Sequence, residues 1–346
     1  MNKVSYKLYA NCIPVRGARR STICDLQKRE AHPMPNDLYD LLVEKNGVFN
    51  VAELQKEVED DSHPVLQEYL DFLLKNKLVH RCSNPENFPD LDLTWQHPSQ
   101  ITNAILDYNS SSRYSLRQVL DQLEELGCQH VQLRFFSIFD LQRLDNLLKS
   151  FLSSRFISFE VYLAYDRRVT KKMIRHLCEK HKRISYLTIH GSPATIAPSK
   201  GNGLERVSYV EERITDATHC GFISQDYLNV NMELFTEAQN FNTCLNRKIS
   251  VDTKGIIKNC PATQTPFGHV KDTSLHSALA HKNFKDLWEV NKDQIEVCKD
   301  CEFRYICTDC RAFITNPEDK YSKPSKCSYD PYTAEWGDLE SQSSNN

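Results

Sequence analysis

Hydrophobic positions follow two periods along the chain. Residues 4–13 and 20–25 carry strand-like apolar runs (Tyr6, Leu8, Tyr9; Thr22, Ile23, Cys24) and predict two strands joined by a basic link over 14–20. Helical spacing takes over at Asn36, a predicted N-cap, with Leu38, Leu41 and Leu42 on one face. Asn50 and Glu53 form a capping-box pattern for a second, short helix. Pro64 opens a third, whose apolar stripe is Leu66, Tyr69, Leu70, Leu73 and Leu74. A strand over 77–80 follows. Strands, three helices and a strand make a winged-helix pattern over residues 1–83.

Three prolines (Pro85, Pro89, Pro98) mark 84–99 as a linker. Strand and helix patterns then alternate. Strands are predicted over 101–105, 130–136, 157–163 and 184–190. Between them, Ser115 and Gln118 open a helix carrying Leu116, Val119, Leu120 and Leu123, stopped by Gly127. Further helices are predicted over 141–152 and 169–180. Such alternation predicts an α/β unit over 100–243, a parallel sheet with helices outside, built as a partial (β/α) barrel. A cysteine-rich unit over 244–335 and a polar tail over 336–346 complete the chain.

Charge narrows the winged helix's role. From Asn36 to His80 there are ten Asp/Glu against four Lys/Arg, a net of −6, the wrong sign for binding phosphate, so nucleic acid is not the expected partner. The whole chain is near balance, with 43 Lys+Arg and 46 Asp+Glu. No apolar run is long enough to span a bilayer, and the N-terminus shows no signal-like apolar segment, so a cytoplasmic location is expected.

Seven of the 13 cysteines lie between Cys244 and Cys327. Cys298, Cys301, Cys307 and Cys310 stand as C-x2-C-x5-C-x2-C, and Cys327 closes the set. Cys244 and Cys260 flank Ile249–Val251, Asp252-Thr253-Lys254-Gly255 and Ile256–Ile257, which read as a β-hairpin that would bring the two thiols together. Seven is odd and the expected compartment is reducing, which disfavours disulfides. Thiols this numerous suit two metal centres, one with four ligands and one with three, and spacing alone leaves both iron–sulfur and zinc open. Cys12, Cys24, Cys82, Cys128, Cys178 and Cys220 lack such spacing and read as core thiols.

The cysteine pattern resembles the SPASM domain of radical S-adenosylmethionine peptide maturases, C-x9–15-G-x4-C, C-x2-C-x5-C-x3-C and a final C. One departure is the pair Thr308-Asp309, two residues where the family has three. The resemblance implies two auxiliary [4Fe-4S] clusters. Cys244, Cys260 and Cys310 would hold one, with no fourth ligand evident, and Cys298, Cys301, Cys307 and Cys327 the other. The N-terminal unit resembles the RiPP recognition element through Ile23-Cys24-Asp25-Leu26 and Met34-Pro35-Asn36-Asp37-Leu38, which implies binding of a precursor's leader at a sheet edge beside the third helix. Arg16, Arg19 and Arg20 read as a solvated turn or as a contact for an acidic leader. The alternating unit resembles the core barrel of radical enzymes, shortened.

That family holds its catalytic cluster on C-x3-C-x2-C after the first barrel strand. Here the place reads Asp107-Tyr108-Asn109-Ser110-Ser111-Ser112, and no such motif occurs anywhere. The next strand ends in Phe135-Phe136-Ser137 where the family has a glycine-rich turn. Reductive cleavage of S-adenosylmethionine is therefore not expected. The whole chain resembles the grasp-with-spasm system SPASM-domain peptide maturases, through Cys220-Gly221-Phe222-Ile223, Thr243-Cys244-Leu245-Asn246-Arg247-Lys248 and Cys301-Glu302-Phe303-Arg304-Tyr305-Ile306-Cys307. That implies a ribosomally made precursor peptide and an ATP-grasp ligase as partners. Three readings remain: a non-catalytic maturation partner, a redox peptide-modifying enzyme acting through an open cluster iron, and a zinc-stabilised peptide-binding scaffold. His190, Asp107, Tyr108 and Asn109 sit where barrel sites lie and are candidates for contact with peptide.

Overall fold

A computed structural model describes residues 5–199, 201 and 203–337; of the polar tail expected over 336–346, Trp336 belongs to a short strand and residues 338–346 lie outside the described residues. The N-terminal region contains β1 (Ser5–Leu8), β2 (Cys12–Val15), β3 (Ser21–Asp25), β4 (Glu30–Met34), α1 (Asn36–Glu44), β5 (Val48–Phe49), α2 (Val51–Glu57), α3 (His63–Lys75) and β6 (Val79–Cys82). The strand expected over 4–13 is two strands. Asn11 spends its amide on Asp25 Oδ1, 2.8 Å away, and Cys12 N–H bonds Tyr9 C=O at 2.9 Å, so the chain turns between them. β1 joins the antiparallel sheet β5-β1-β6, while β2 joins β2-β3-β4.

Asn50 caps α2 as expected, accepting from Glu53 N–H. Asn36 does not cap α1. Pro35 occupies the N-cap, and the Asn36 amide instead accepts from Ser21 Oγ at 2.6 Å and donates to Gly17 and Ala18 carbonyls. Leu38, Leu42, Leu54, Leu70 and Leu73 bury one face of each helix against Tyr6, Ile23 and Phe49.

The second region is a mixed α/β unit around one large sheet. Its elements are β7 (Asn103–Tyr108), α4 (Leu116–Glu125), β8 (His130–Phe135), α5 (Leu141–Lys149), β9 (Ser158–Ala164), α6 (Lys171–Lys180), β10 (Ile184–His190), β11 (Val207–Val210), α7 (Met232–Ala238), β12 (Lys248–Val251) and β13 (Ile257–Lys258). Strand order is β11-β10-β9-β8-β7-β12-β13, all parallel except the last. The hairpin between Cys244 and Cys260 thus extends the large sheet, with Gly255 in the turn at φ +84°. Every second residue faces the helices and packs there: Ala104, Leu106, Val131, Leu133, Phe159, Val161, Ile249 and Val251. Ser115, Asp140 and Thr170 cap α4, α5 and α6.

The rest of the chain is largely irregular. It holds α8 (Leu275–Leu279), a 3-10 turn at Cys298–Asp300 and the short pair β14 (Tyr329–Asp330) and β15 (Glu335–Trp336). It is bonded to the N-terminal sheet. Glu302, wholly buried, accepts from Arg20 Nε at 2.7 Å and from Tyr329 Oη, and Ala18 N–H donates to Asp300 C=O at 2.7 Å. Arg16 pairs with Asp40, and its carbonyl receives Arg304. Arg20 is therefore tied to a buried carboxylate, which corrects the solvated-turn reading for that residue, whereas Arg16 and Arg19 are exposed.

Gly17 lies at this junction, where an added Cβ would stand 2.4 Å from Arg20 O and 2.9 Å from both Glu302 Cβ and N. Gly17→Val should destabilise the protein by about 1–3 kcal/mol, the usual cost of overpacking, and lower Tm in a thermal melt; an unchanged Tm would show that the junction yields freely.

Candidate functional site

The sheet face opposite the helices is polar. Register places Asp107, Arg134, Tyr162, Thr188 and Ser208 side by side across five strands. Asp107 and Arg134 form a two-pronged ion pair at 2.6 and 2.8 Å, both almost wholly buried. Burial pushes the Asp107 carboxyl upward, against the pull of the guanidinium. One step along the strands, Glu160 accepts from Gln132 at 2.7 Å and from Tyr162 Oη at 2.9 Å. Asp107 is thus committed inside the sheet and cannot serve as a peptide contact.

His190 is also committed. Its Nε2 lies 3.0 Å from Phe135 O, and its Nδ1 accepts from Ile214 N–H at 3.2 Å, which sets the proton on Nε2. Burial lowers its pKa, so the ring is a neutral crosslink.

At the C-terminal ends of β7, β8 and β9 a cavity of about 1080 Å³ opens, lined among others by Tyr108, Asn109, Ser112, Phe139, Arg143 and His176. The segment over 109–112 closes on itself. Asn109 Oδ1 accepts from Ser111 N–H and Ser111 Oγ, and Ser112 Oγ donates to Thr253 O at 2.7 Å.

Electrostatic neighbours among the seven expected ligands fall in two sets. After burial, which is the larger cause in each case, neighbouring thiols push one another's pKa upward. Cys244 acts in this way on Cys260 and Cys310. Cys298 and Cys307 act on Cys301, and Cys327 acts on both Cys298 and Cys307. The thiol of Cys260 and that of Cys298 are held at about 12, and that of Cys310 at about 11. Such thiols stay protonated at neutral pH unless a metal centre supplies positive charge. No disulfide joins any of the thirteen cysteines.

Each group carries a lysine. Lys248 Nζ is 3.5 Å from Cys244 Sγ. Lys292, 5% exposed, lies 3.7 Å from Asp309 and beside Cys298 and Cys307. The donor chemistry, thiols throughout with an ammonium beside each set, suits an anionic thiolate-held metal centre, iron–sulfur or zinc. Among the described residues no three His, Cys, Asp or Glu side chains converge closely enough to hold a single ion.

The short Cys307-Thr308-Asp309-Cys310 step feeds both groups. Asp309, 1% exposed, binds Asn242 Nδ2 at 2.6 Å, Arg311 Nη2 at 2.8 Å and Lys292. Asn242 Oδ1 in turn receives the N–H groups of Cys244 and Leu245 at 3.0 and 2.9 Å. Sequence reading missed Cys220, placed among the core thiols. It is half-buried and stands among the first group, adding to the upward push on Cys260 and Cys310. No spacing rule could have found it, because 23 residues separate it from Cys244.

No protein-family model matches the chain, and no curated protein matches it. Among solved structures, the chain is similar to a crystal structure of Streptococcus suis SuiB, with a TM-score of 0.33 and 10% identity over 94% of this chain and 99% of that one. A crystal structure of Streptococcus suis SuiB bound to S-adenosylmethionine gives a TM-score of 0.31 at the same identity and coverage.

Replacing Arg134 by Leu leaves Asp107 buried without its partner. Stability should fall by about 3–5 kcal/mol, and the Asp107→Leu, Arg134→Leu double variant should regain most of it. Equal losses in single and double variants on urea titration would refute this account of the pair.

Proposed function

We propose that the chain is a ribosomal-peptide maturation protein that binds a precursor peptide and works with an ATP-grasp ligase. In this reading it carries two [4Fe-4S] clusters and no S-adenosylmethionine radical chemistry. The observation that supports it is that Cys260 and Cys310 are electrostatic neighbours of Cys244, and Cys298, Cys301 and Cys327 of Cys307, beside a parallel sheet whose first loop holds no thiol. The clusters would supply electron transfer or cross-linking of the C-terminal segment. This chain's own residues hold the thiols in place through Asp309 and Asn242, and Lys248 and Lys292 offset the negative charge.

The N-terminal unit would be the recognition element. β6 is an edge of its sheet, with α3 beside it, and an extended leader would add there as a further strand. The cavity past β7 to β9 would receive the segment to be modified. Residues 1–83, 100–243 and 244–335 would be the recognition, barrel-like and SPASM units, joined by the linker 84–99. The compartment would be the cytoplasm, where such clusters are assembled.

Anaerobically prepared protein should be brown and hold on the order of eight irons with matching sulfide, and Cys301→Ala should lose about half. A colourless protein with stoichiometric zinc from iron-replete cells would overturn the cluster assignment. A labelled leader peptide from the neighbouring precursor should bind the full chain with Kd in roughly the micromolar range, without competition from duplex DNA. No binding to this chain, alongside tight binding to the ligase, would move recognition to the ligase.

A further inference from the structure

The thiol of Cys220 lies outside every cysteine spacing in the chain, yet the fold delivers it to a defined place. After β11 the backbone runs onto the C-terminal segment. Ile223 N–H donates to Lys326 C=O at 3.2 Å, and Ile223 forms a bridge with Cys327. Lys326 Nζ donates to the Cys220 carbonyl at 2.8 Å and sits over the rings of Phe222 and Phe313 at 4.3 and 4.0 Å. The staple brings residues 220–223 against the last turns of the cysteine block.

Gly221 shows how close that approach is. It holds φ +84°, and a Cβ there would stand 2.8 Å from Cys310 Sγ and 2.9 Å from a Phe313 ring carbon. The backbone next to Cys220 is thus in contact with the sulfur of Cys310. Cys220 is also an electrostatic neighbour of Lys248, Arg134 and Tyr162, the groups that line the polar sheet face and the first thiol group.

We propose that Cys220 is the fourth thiolate of the Cys244, Cys260 and Cys310 centre, so that this centre is closed by the chain itself. The inference rests on the iron–sulfur reading above and deepens it. On binding iron, the Cys220 thiol gives its proton to solvent, and the sulfur takes the coordination position that a three-cysteine set leaves open. A metal centre with a complete protein ligand set has no position for a substrate, whereas reactive centres keep one open. The first centre would then carry electrons or hold structure, and peptide would not bind to its iron. The glycine after Cys220 follows from the same arrangement, since any side chain there would meet Cys310.

The test uses the full chain, reconstituted anaerobically, as wild type, Cys220→Ala and Cys128→Ala, the last removing a thiol outside both groups. Iron and sulfide are measured, and the reduced spectra are recorded by electron paramagnetic resonance with and without cyanide. Wild type and Cys128→Ala should show spectra that cyanide does not change. Cys220→Ala should either gain a cyanide-sensitive signal at nearly full iron or lose about half its iron. A cyanide-sensitive cluster already present in wild type would overturn the proposal without any variant. So would a Cys220→Ala protein equal to wild type in iron and in spectrum. Both results leave the iron–sulfur reading standing, whereas iron-free, zinc-loaded wild type would overturn that reading as well.

Discussion

A parallel sheet has to be covered on both faces, and in this chain the two covers are chemically different. α4, α5 and α6 close one face with aliphatic and aromatic side chains around Leu120, Leu144 and Ile174. The other face presents Asp107, Arg134, Glu160 and Tyr162, which no apolar layer could accept without leaving polar groups unpaired. The polar row first satisfies itself, through the Asp107–Arg134 pair and the Gln132–Glu160–Tyr162 chain. The first thiol group of the C-terminal segment meets this face beside Arg134 and Lys248. The β12–β13 hairpin, which joins the sheet between Cys244 and Cys260, carries those thiols to it.

The two thiol groups are held as one body by a buried polar cluster. Asp309 sits between Cys307 and Cys310 and is gripped by Lys292, Arg311 and Asn242, while Asn242 orients the backbone at Cys244. Arg311 extends the grip to the carbonyls of Lys320 and Ser322. A buried carboxylate with several well-placed partners contributes geometry more surely than stability.

Local signals were legible where local chemistry decides the outcome. Ser115 and Asn50 cap helices because their side chains reach backbone N–H groups three residues on, and Gly127 stops α4 with φ +78°. The strand over Ile184–His190 matches its predicted span because both neighbours are parallel strands and the apolar run is continuous. The misses have long-range partners. Asn36 looks like a cap, but its amide serves the loop at Gly17 and Ala18. Glu30–Met34 has no apolar alternation, and it is a strand because β3 supplies its hydrogen bonds. Arg20 looks solvated, but its partner Glu302 is 282 residues away. The seven clustered cysteines announce themselves by spacing, whereas Cys220 is brought to them by Lys326 and the course of the backbone after β11.

The loop after β7 pairs its polar groups from within: Asn109 turns the chain with its own carboxamide, and Ser112 ties it to Thr253 at the tip of the β12–β13 hairpin. Arg113 adds bonds to the Ser110 and Ser112 carbonyls. The loop is thus a self-sufficient polar turn forming one wall of the large cavity. Asp140, Arg143, Asp166 and His176 line the same cavity, so it presents charged as well as hydrogen-bonding side chains.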